Sequence, residues 1–164
     1  MEKGVSVLIS MVFVIMITVS AIAVVLQFGL PAIQKMKEAA SIGEAETVME
    51  ILDNSVRQTA SEGVGTFKKV QISVTDGAYR VNPESDSLTY NITLSSDFLP
   101  PGSVTEGSLQ KNVAVGDGGT ELQMKVRYSS INLTGDFRAE RGPHSVCFEK
   151  TGDDGTVEVD VSNC

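Results

Sequence analysis

The feature that most constrains this chain is a long stretch without any charged residue. No Asp, Glu, Lys or Arg occurs between Lys3 and Lys35, and 22 of the 29 residues from Val5 to Ile33 are hydrophobic. As a helix, Val5 to Leu26 spans about 33 Å, which matches a bilayer's hydrocarbon core of about 30 Å. Apolar residues occur all round this helix, and the remaining residues are too few and too polar to enclose it. The stretch therefore predicts a membrane-spanning helix.

The residues on either side of this stretch favour retention of the helix in the mature protein. A secretory signal has a longer basic region, an apolar core of about 7 to 15 residues and small residues at a cleavage site. Here the preceding segment is only Met1–Gly4, the apolar run is longer, and no small-x-small site follows the run before the break at residues 27–31. Lys3 and the α-amino group give a positive-inside bias that Glu2 partly opposes, so we expect the N-terminus inside and the body outside.

Lys3 and Gly4 stand directly before the apolar sequence VSVLI. A basic residue and a glycine in this position resemble the class III signal peptide of archaeal type IV pilins, pilin-like proteins and archaellins. In that family a prepilin peptidase cuts on the cytoplasmic side after the glycine and leaves the hydrophobic helix on the mature subunit. The resemblance implies a cut between Gly4 and Val5. It rests on roughly the first 60 residues, and the remainder is similar only in general architecture.

One position departs from the bacterial members of that family. They carry an acidic residue near the start of the mature helix, whereas the fifth residue after the implied cut is Ile9 here. Archaeal members commonly lack the acidic residue, so the departure favours the archaeal branch. The alternative interpretation of the same residues is an uncleaved signal anchor.

From residue 34 onward the pattern changes to that of an amphipathic helix. Apolar residues recur mostly at three- and four-residue steps with charges between them, and Gly63 is a natural stop. The apolar stripe consists of Ile33, Met36, Ala40, Ala45, Val48, Met49, Leu52, Val56 and Ala60. We therefore predict a second helical half whose stripe packs on the following domain and whose polar side is a solvated face.

Together the two halves predict one helix from about residue 5 to about residue 60, roughly 84 Å long if continuous. Gly29 and Pro31 mark its weak point, because proline removes one backbone hydrogen bond and its ring presses on a preceding carbonyl. One interpretation is a bend at the membrane surface. The other, which the pilin resemblance implies, is a segment that unwinds when helices pack in a filament core.

The region from Thr66 to the C-terminus has the alternation typical of β-strands. Apolar and polar residues alternate in 70–74, 79–81, 88–94, 122–128, 131–133 and 157–161, and the apolar run 146–148 leads over the segment 151–155 to the last of these. Asp76-Gly77 supplies a turn, and the Pro-, Gly- and Ser-rich segment through Gly119 is expected to be a long loop. We expect six or seven antiparallel strands, most with one apolar face that the helix stripe covers.

Cys147 and Cys164 are the two cysteines of the chain. In an exported domain a bridge between them is the default, and closing this loop contributes about 3 kcal/mol in the chain-entropy model. A simple hairpin centred on Asp153 places Cys147 opposite Val159 and leaves Cys164 five residues beyond. The chain must then curl back, or the last strand must pair elsewhere. Pairing with a second chain is the alternative.

Two N-glycosylation sequons occur, Asn91-Ile-Thr93 and Asn132-Leu-Thr134. A chain of this size is expected to contain about one by chance, given a three-residue motif with a two-residue choice at its end. Both acceptors fall on polar-facing positions of predicted strands, which is compatible with surface glycans.

Composition argues against several classes of protein. With 13 Lys and Arg against 21 Asp and Glu, the net charge of −8 disfavours a nucleic-acid binder. One His and two Cys provide little material for a metal site or a histidine-based triad. The Asp-Gly clusters at 116–119 and 152–155 indicate turns, because neither has the spacing of an EF-hand calcium loop. His144 is expected at the surface. We predict no enzyme, metal site or cofactor.

The sequence therefore predicts an α+β protein. Its parts are a leader of residues 1–4, a long helix of residues 5–62 with an apolar half 5–33 and an amphipathic half 34–62, and a β-rich domain of residues 63–164. We expect this domain to be an antiparallel β-sheet or a sandwich-like fold. The resemblance implies a subunit of an extracellular filament, held in the cytoplasmic membrane before assembly. Its implied partners are copies of itself, the prepilin peptidase and the pilus assembly machinery. The alternatives are a permanently anchored surface-binding domain and a minor pilin or archaellin subunit.

Overall fold

The computed structural model describes residues 3–95, 99–116, 119–152 and 157–164, with side chains described from Ile9 onward. One helix, α1, runs from Lys3 to Ser61, and a short 3₁₀ turn covers Pro83–Ser85. The strands are β1 (Phe67–Val74), β2 (Ala78–Asn82), β3 (Ser87–Leu94), β4 (Gly102–Glu106), β5 (Leu109–Gly116), β6 (Gly119–Arg127), β7 (Ile131–Thr134), β8 (Arg138–Ala139), β9 (Gly142–Gly152) and β10 (Val157–Asn163). The α+β prediction is confirmed.

Contacts divide the chain into two compact units, an N-terminal unit of Met1–Glu38 and a C-terminal unit of Ala39–Cys164. The division falls inside α1. The N-terminal unit is therefore the apolar part of the helix with a few following residues. The C-terminal unit contains the rest of the helix and all the strands.

The C-terminal unit contains two β-sheets. One has four strands in the order β1-β9-β10-β7, and the other has six in the order β4-β5-β6-β3-β2-β8. Within the described ranges there are ten strands, more than the six or seven predicted, and the pairing of β7 with β10 is parallel. The expectation of an all-antiparallel domain is therefore wrong at that pair, because alternation reveals a strand's faces but not the direction of its neighbour.

The segment expected to be a long loop contains the β4–β5 hairpin. Val104 on β4 lies opposite Lys111 on β5, and β5 continues the sheet along β6. All five residues of β4 are exposed. An edge strand without a buried face has no apolar alternation, so the sequence pattern gives no sign of it.

The Asp76-Gly77 turn is present but joins strands of different sheets, because β1 pairs with β9 whereas β2 pairs with β3 and β8. Gly77 has a φ of 76°, and a Cβ there would lie 2.6 Å from the backbone oxygen of Asn91. Both the backbone conformation and the close approach require glycine.

The core of the C-terminal unit combines both sheets with the second half of α1. The buried helix residues are Ala45, Val48, Met49, Leu52 and Val56, and Ile42 and Ala60 pack at the margin. The predicted stripe is correct for these positions, whereas Ile33, Met36 and Ala40 are exposed. Burial begins only where the helix meets strands, so periodicity alone extends the stripe too far toward the N-terminus.

Candidate membrane and surface sites

The apolar half of α1 is exposed along its described length. From Ile9 to Ile33 every residue is exposed apart from the half-buried Gly29, and Phe28 reaches 71% exposure. A helix of 25 residues is about 38 Å long, which exceeds a hydrocarbon core of about 30 Å. Water is a poor solvent for this surface, because exposed apolar area costs about 25 cal/mol per Å². By length and composition, the segment can cross a membrane.

One polar side chain in this segment, that of Thr18, has a hydrogen-bond partner within the helix. The Thr18 hydroxyl donates a hydrogen bond to the Val14 backbone oxygen at 2.8 Å, so the proton is satisfied within the helix. Thr18 therefore adds little to the cost of placing the helix in lipid.

One face of the apolar helix carries a shallow notch. Ser20 and Ala21 form its floor between larger neighbours one turn away in each direction. The larger residues at its rim are Met16, Ile17, Val24 and Val25. Small residues flanked by large ones let a second helix approach closely, which is the usual packing geometry between helices in lipid.

Gly29 and Pro31 both lie inside α1, and the helix is assigned on both sides of them. A Cβ added at Gly29 would meet no atom within 4 Å. The chain alone therefore gives no steric reason for glycine at this position. A role for the pair in bending or unwinding stays a prediction.

The predicted processing site lies at the start of the helix. Lys3, Gly4 and Val5 belong to α1 by their backbone, but their side chains lie outside the described residues. The notion of a cut between Gly4 and Val5 therefore stays a prediction.

The Cys147–Cys164 disulfide is present, with the two Cα atoms 5.6 Å apart. The predicted register is wrong, because Cys147 lies opposite Ser162 rather than Val159. β9 extends to Gly152 and β10 begins only at Val157, with a register shift near its start. This moves the C-terminus three residues closer, so Cys164 reaches its partner without the chain curling back.

Both sequon acceptors are exposed, on different sheets. Asn132 lies on β7, an edge strand of the four-stranded sheet. Asn91 lies on β3 inside the six-stranded sheet, and its side-chain oxygen accepts a hydrogen bond from Gln123 at 3.0 Å. The expectation that both occupy polar-facing strand positions is confirmed.

Most residues of the two Asp-Gly clusters, 116–119 and 152–155, lie outside the part of the chain that the structure describes. Asp117, Gly118, Asp153, Asp154 and Gly155 lie outside the described residues. Among the residues that are described, no group of three His, Cys, Asp or Glu side chains is arranged to hold a metal ion. His144 is half-buried, and its Nε2 lies 2.6 Å from the Glu140 backbone oxygen.

Two lysines have roles that the sequence reasoning missed. Lys150 is buried, and its Nζ donates to the backbone oxygens of Ala60 at 3.1 Å and Glu62 at 2.8 Å. It thereby satisfies carbonyl groups at the C-terminus of α1 that have no partner within the helix. The available signal was its position in alternation with Val146 and Phe148, which places a lysine on the apolar face of β9.

Lys111 ties the β4–β5 hairpin to the helix. Its Nζ lies 2.8 Å from Glu46 and 2.7 Å from Glu106. Desolvation lowers the pKa of Lys111, but hydrogen bonds and charge attraction from Glu106 and Glu46 outweigh it, so the pKa is raised. Ser108 adds a hydrogen bond to Asp53 at 3.0 Å. The hairpin is thus held by these polar contacts together with Leu109 and Val113, which pack against the core.

These observations define a protein with an exposed apolar N-terminal helix, long enough to cross a membrane, and a disulfide-linked two-sheet C-terminal unit. Residues 3–95 match the model of a family of unknown function, DUF7289, over more than half of the chain. The chain belongs to that family. No curated protein and no solved structure matches it.

Proposed function

We propose that this chain is a structural subunit of an extracellular filament of the archaeal type IV pilus kind. The observation that carries the proposal is the apolar helix, exposed and free of charge from Ile9 to Ile33. In the precursor this surface contacts lipid. In the filament the same surface contacts copies of itself, so apolar burial is preserved when the subunit leaves the membrane.

The notch at Ser20 and Ala21 supports the second step, because a plain lipid anchor needs no shaped face. Head-to-tail repetition of one helix contact gives an open helical polymer. The C-terminal unit, whose strands present polar residues outward, forms the coat of such a polymer. Residues 61–164 contain nine Lys and Arg against fifteen Asp and Glu, and this negative charge favours solubility.

Processing by a prepilin peptidase is part of this proposal, with the cut after Gly4. Of the two sequons, Asn132 is the better candidate for glycosylation, because it is exposed on an edge strand. The alternative function is a permanently anchored surface domain that binds a ligand and never polymerises. It requires the membrane helix but neither cleavage nor the notch.

Intact mass and electron microscopy test the proposal together. The mature protein should begin at Val5, and material sheared from cells should contain helical filaments. Mature protein that begins at Met1, and that behaves as a monodisperse monomer in detergent, would establish the anchor instead.

A pair of matched variants tests the notch. Ala21→Leu fills it, whereas Ala23→Leu makes the same change at a position outside the notch; both keep the helix apolar and competent for membrane insertion. We expect Ala21→Leu to reduce filament yield more than tenfold and Ala23→Leu to reduce it much less. Equal yields from the two variants would refute a role for this face.

A further inference from the structure

The outward face of the six-stranded sheet differs from the rest of this acidic protein in its charge. Strand residues alternate between a buried face, which contains Leu88, Tyr90 and Met124, and an opposite face that we call the outer face. The charged residues that alternation places on the outer face of the described strands are Arg80, Lys125, Arg127, Arg138 and Glu121. Four positive charges thus stand beside one negative charge, on a chain whose net charge is −8.

The strand register gathers the cations into a cluster. Arg80 lies directly opposite Arg138 on β8 and Thr89 on β3. Thr89 in turn lies opposite Lys125 on β6, so these residues form one row across four strands. Neighbouring strands are about 4.8 Å apart, which places Arg80 and Lys125 about 10 Å apart. Arg127 follows two residues after Lys125 on the same face.

Little within the described residues neutralises this cluster. Arg138 lies 2.5 Å from the carboxylate of Glu140. Among the residues that the structure describes, no carboxylate lies within ion-pair distance of Arg80, Lys125 or Arg127. Like charges in adjacent positions of a sheet are unfavourable. Their concentration is therefore a cost to the fold that an anionic ligand would relieve.

A row of amides lies beside the cations. Asn112, Gln123 and Asn91 occupy one cross-strand row on the outer face, one step along the strands from Lys125. Gln123 donates to Asn91, and the small side chains of Ala78 and Ala114 leave room around them. The result is an open groove of about 700 Å³, which Glu121, Glu140 and Arg141 also line, and the basic cluster lies beside this groove rather than in it. Amides offer both donors and acceptors, which is what sugar hydroxyls require.

We propose that the outer face binds an acidic polysaccharide, with the basic cluster on its carboxylate or sulfate groups and the amide row on its hydroxyls. Guanidinium groups match carboxylates and sulfates in planar, two-pronged geometry. Nucleic acid fits this face less well, because the outer face presents no aromatic side chain among the described strand residues for bases to stack on. A second copy of the chain fits poorly, because the face has no apolar centre.

The proposal does not depend on filament assembly, because every residue in it belongs to the C-terminal unit. It also separates the two sequons. A glycan on Asn91 would cover the amide row, so the proposal keeps the Asn91 amide for the ligand and leaves Asn132 as the acceptor.

The test uses the full chain in nonionic detergent, with polygalacturonate as the acidic polysaccharide. Neutral dextran, poly-L-glutamate and double-stranded DNA serve as comparison polymers. The variant Arg80→Gln/Lys125→Gln/Arg127→Gln removes three cations from the outer face. The variant Lys35→Gln/Lys37→Gln/Lys69→Gln removes three exposed cations elsewhere and is its charge-matched control. Thermal unfolding establishes that all proteins compared have the same midpoint.

We expect polygalacturonate to bind the native chain, more weakly as salt is added, and dextran not to bind. The outer-face variant should lose at least tenfold in affinity and the control less than twofold. Gln123→Ala should lower the affinity for polygalacturonate at least threefold. It should leave the affinity for poly-L-glutamate, which is lower in the native chain, unchanged. Equal affinities of the two triple variants would overturn the proposal. So would binding of DNA or poly-L-glutamate as tight as that of polygalacturonate, or a glycan on Asn91 in the mature protein.

Discussion

At the scale of single residues, the buried ammonium group of Lys150 joins two elements of the C-terminal unit. Its side chain binds the last carbonyls of α1, and its backbone nitrogen donates to Thr66 at 3.1 Å. Its backbone oxygen accepts from Gly65 at 2.8 Å. The connection between the helix and β1 is therefore fixed by β9 through side chain and backbone together.

Replacing Lys150 by methionine keeps most of the side-chain volume but removes the donors. We expect Lys150→Met to lower the free energy of unfolding by about 2 kcal/mol, because the carbonyls of Ala60 and Glu62 lose hydrogen bonds from a buried ammonium group. Urea denaturation measures the change. Lys69→Met, at an exposed position of β1, is the control and should change stability by less than about 0.5 kcal/mol. Equal stabilities of the two variants would contradict the capping role.

The three tyrosines of the chain are all buried. Burial is the main cause that raises the pKa of Tyr79, Tyr90 and Tyr128, and nearby acidic groups, including Glu44, Asp76 and Asp53, raise it further. Unfolded tyrosine ionises near pH 10, whereas the folded residues keep their protons. The unfolded state therefore releases protons first as the pH rises.

Ionisation of these tyrosines should therefore leave the free energy of unfolding unchanged below about pH 10 and should lower it above that pH. Tyrosinate absorbance at 295 nm should appear only together with unfolding, measured by circular dichroism. Tyr79→Phe, which loses only a long 3.4 Å hydrogen bond, should reduce the dependence on pH by about a third. Tyrosinate that forms near pH 10 in a still folded protein would show that the rings are accessible.

At the scale of elements, the sequence patterns indicate which face of a strand is buried more reliably than they indicate which strand it pairs with. The alternation in β3 and β6 correctly indicated one buried side for each strand. It gives no information on which strands pair, so it does not predict the strand order of either sheet or the parallel β7–β10 pair. β4 was missed because edge pairing, rather than apolar burial, makes it a strand.

The disulfide was foreseen from compartment chemistry, but its register depended on where the connection between β9 and β10 begins. Proline and glycine patterns do not determine such a register, because one shifted residue moves every later pair. The same reasoning applies to the outer face: the cations at residues 80, 125, 127 and 138 are far apart in sequence, and only the register brings them together.

The disulfide joins Cys164, which directly follows β10, to Cys147 on the neighbouring strand β9. Because the two cysteines are 17 positions apart in the sequence, loss of the disulfide should lower the free energy of unfolding by about 3 kcal/mol. Cys164→Ser should show this decrease in urea denaturation. Dithiothreitol should destabilise the native chain by the same amount and leave the variant unchanged, since the chain has no other cysteine pair. Dimers on a non-reducing gel would instead indicate pairing between chains.

At the scale of the whole molecule, the charge and hydropathy averages conceal three different surfaces. The helix from Ile9 to Ile33 is apolar, the chain as a whole is acidic, and the outer face of the six-stranded sheet is basic. The first was visible in the sequence because it is contiguous. The last was not, because a net charge of −8 gives no indication of where the minority charges lie.

The division of the chain at residue 38 leads to the last prediction. Every buried core residue that the structure describes lies between Ala45 and Val161, inside the C-terminal unit, which also contains both cysteines. A chain of residues 39–164 should therefore fold without detergent, remain monomeric and unfold cooperatively, because it keeps the whole core and loses only exposed apolar surface. The full chain should need detergent or lipid, or assemble. Analytical ultracentrifugation and thermal denaturation of the two chains measure this. Aggregation of the 39–164 chain, or a non-cooperative transition, would show that the apolar helix is needed for folding as well as for membrane anchoring.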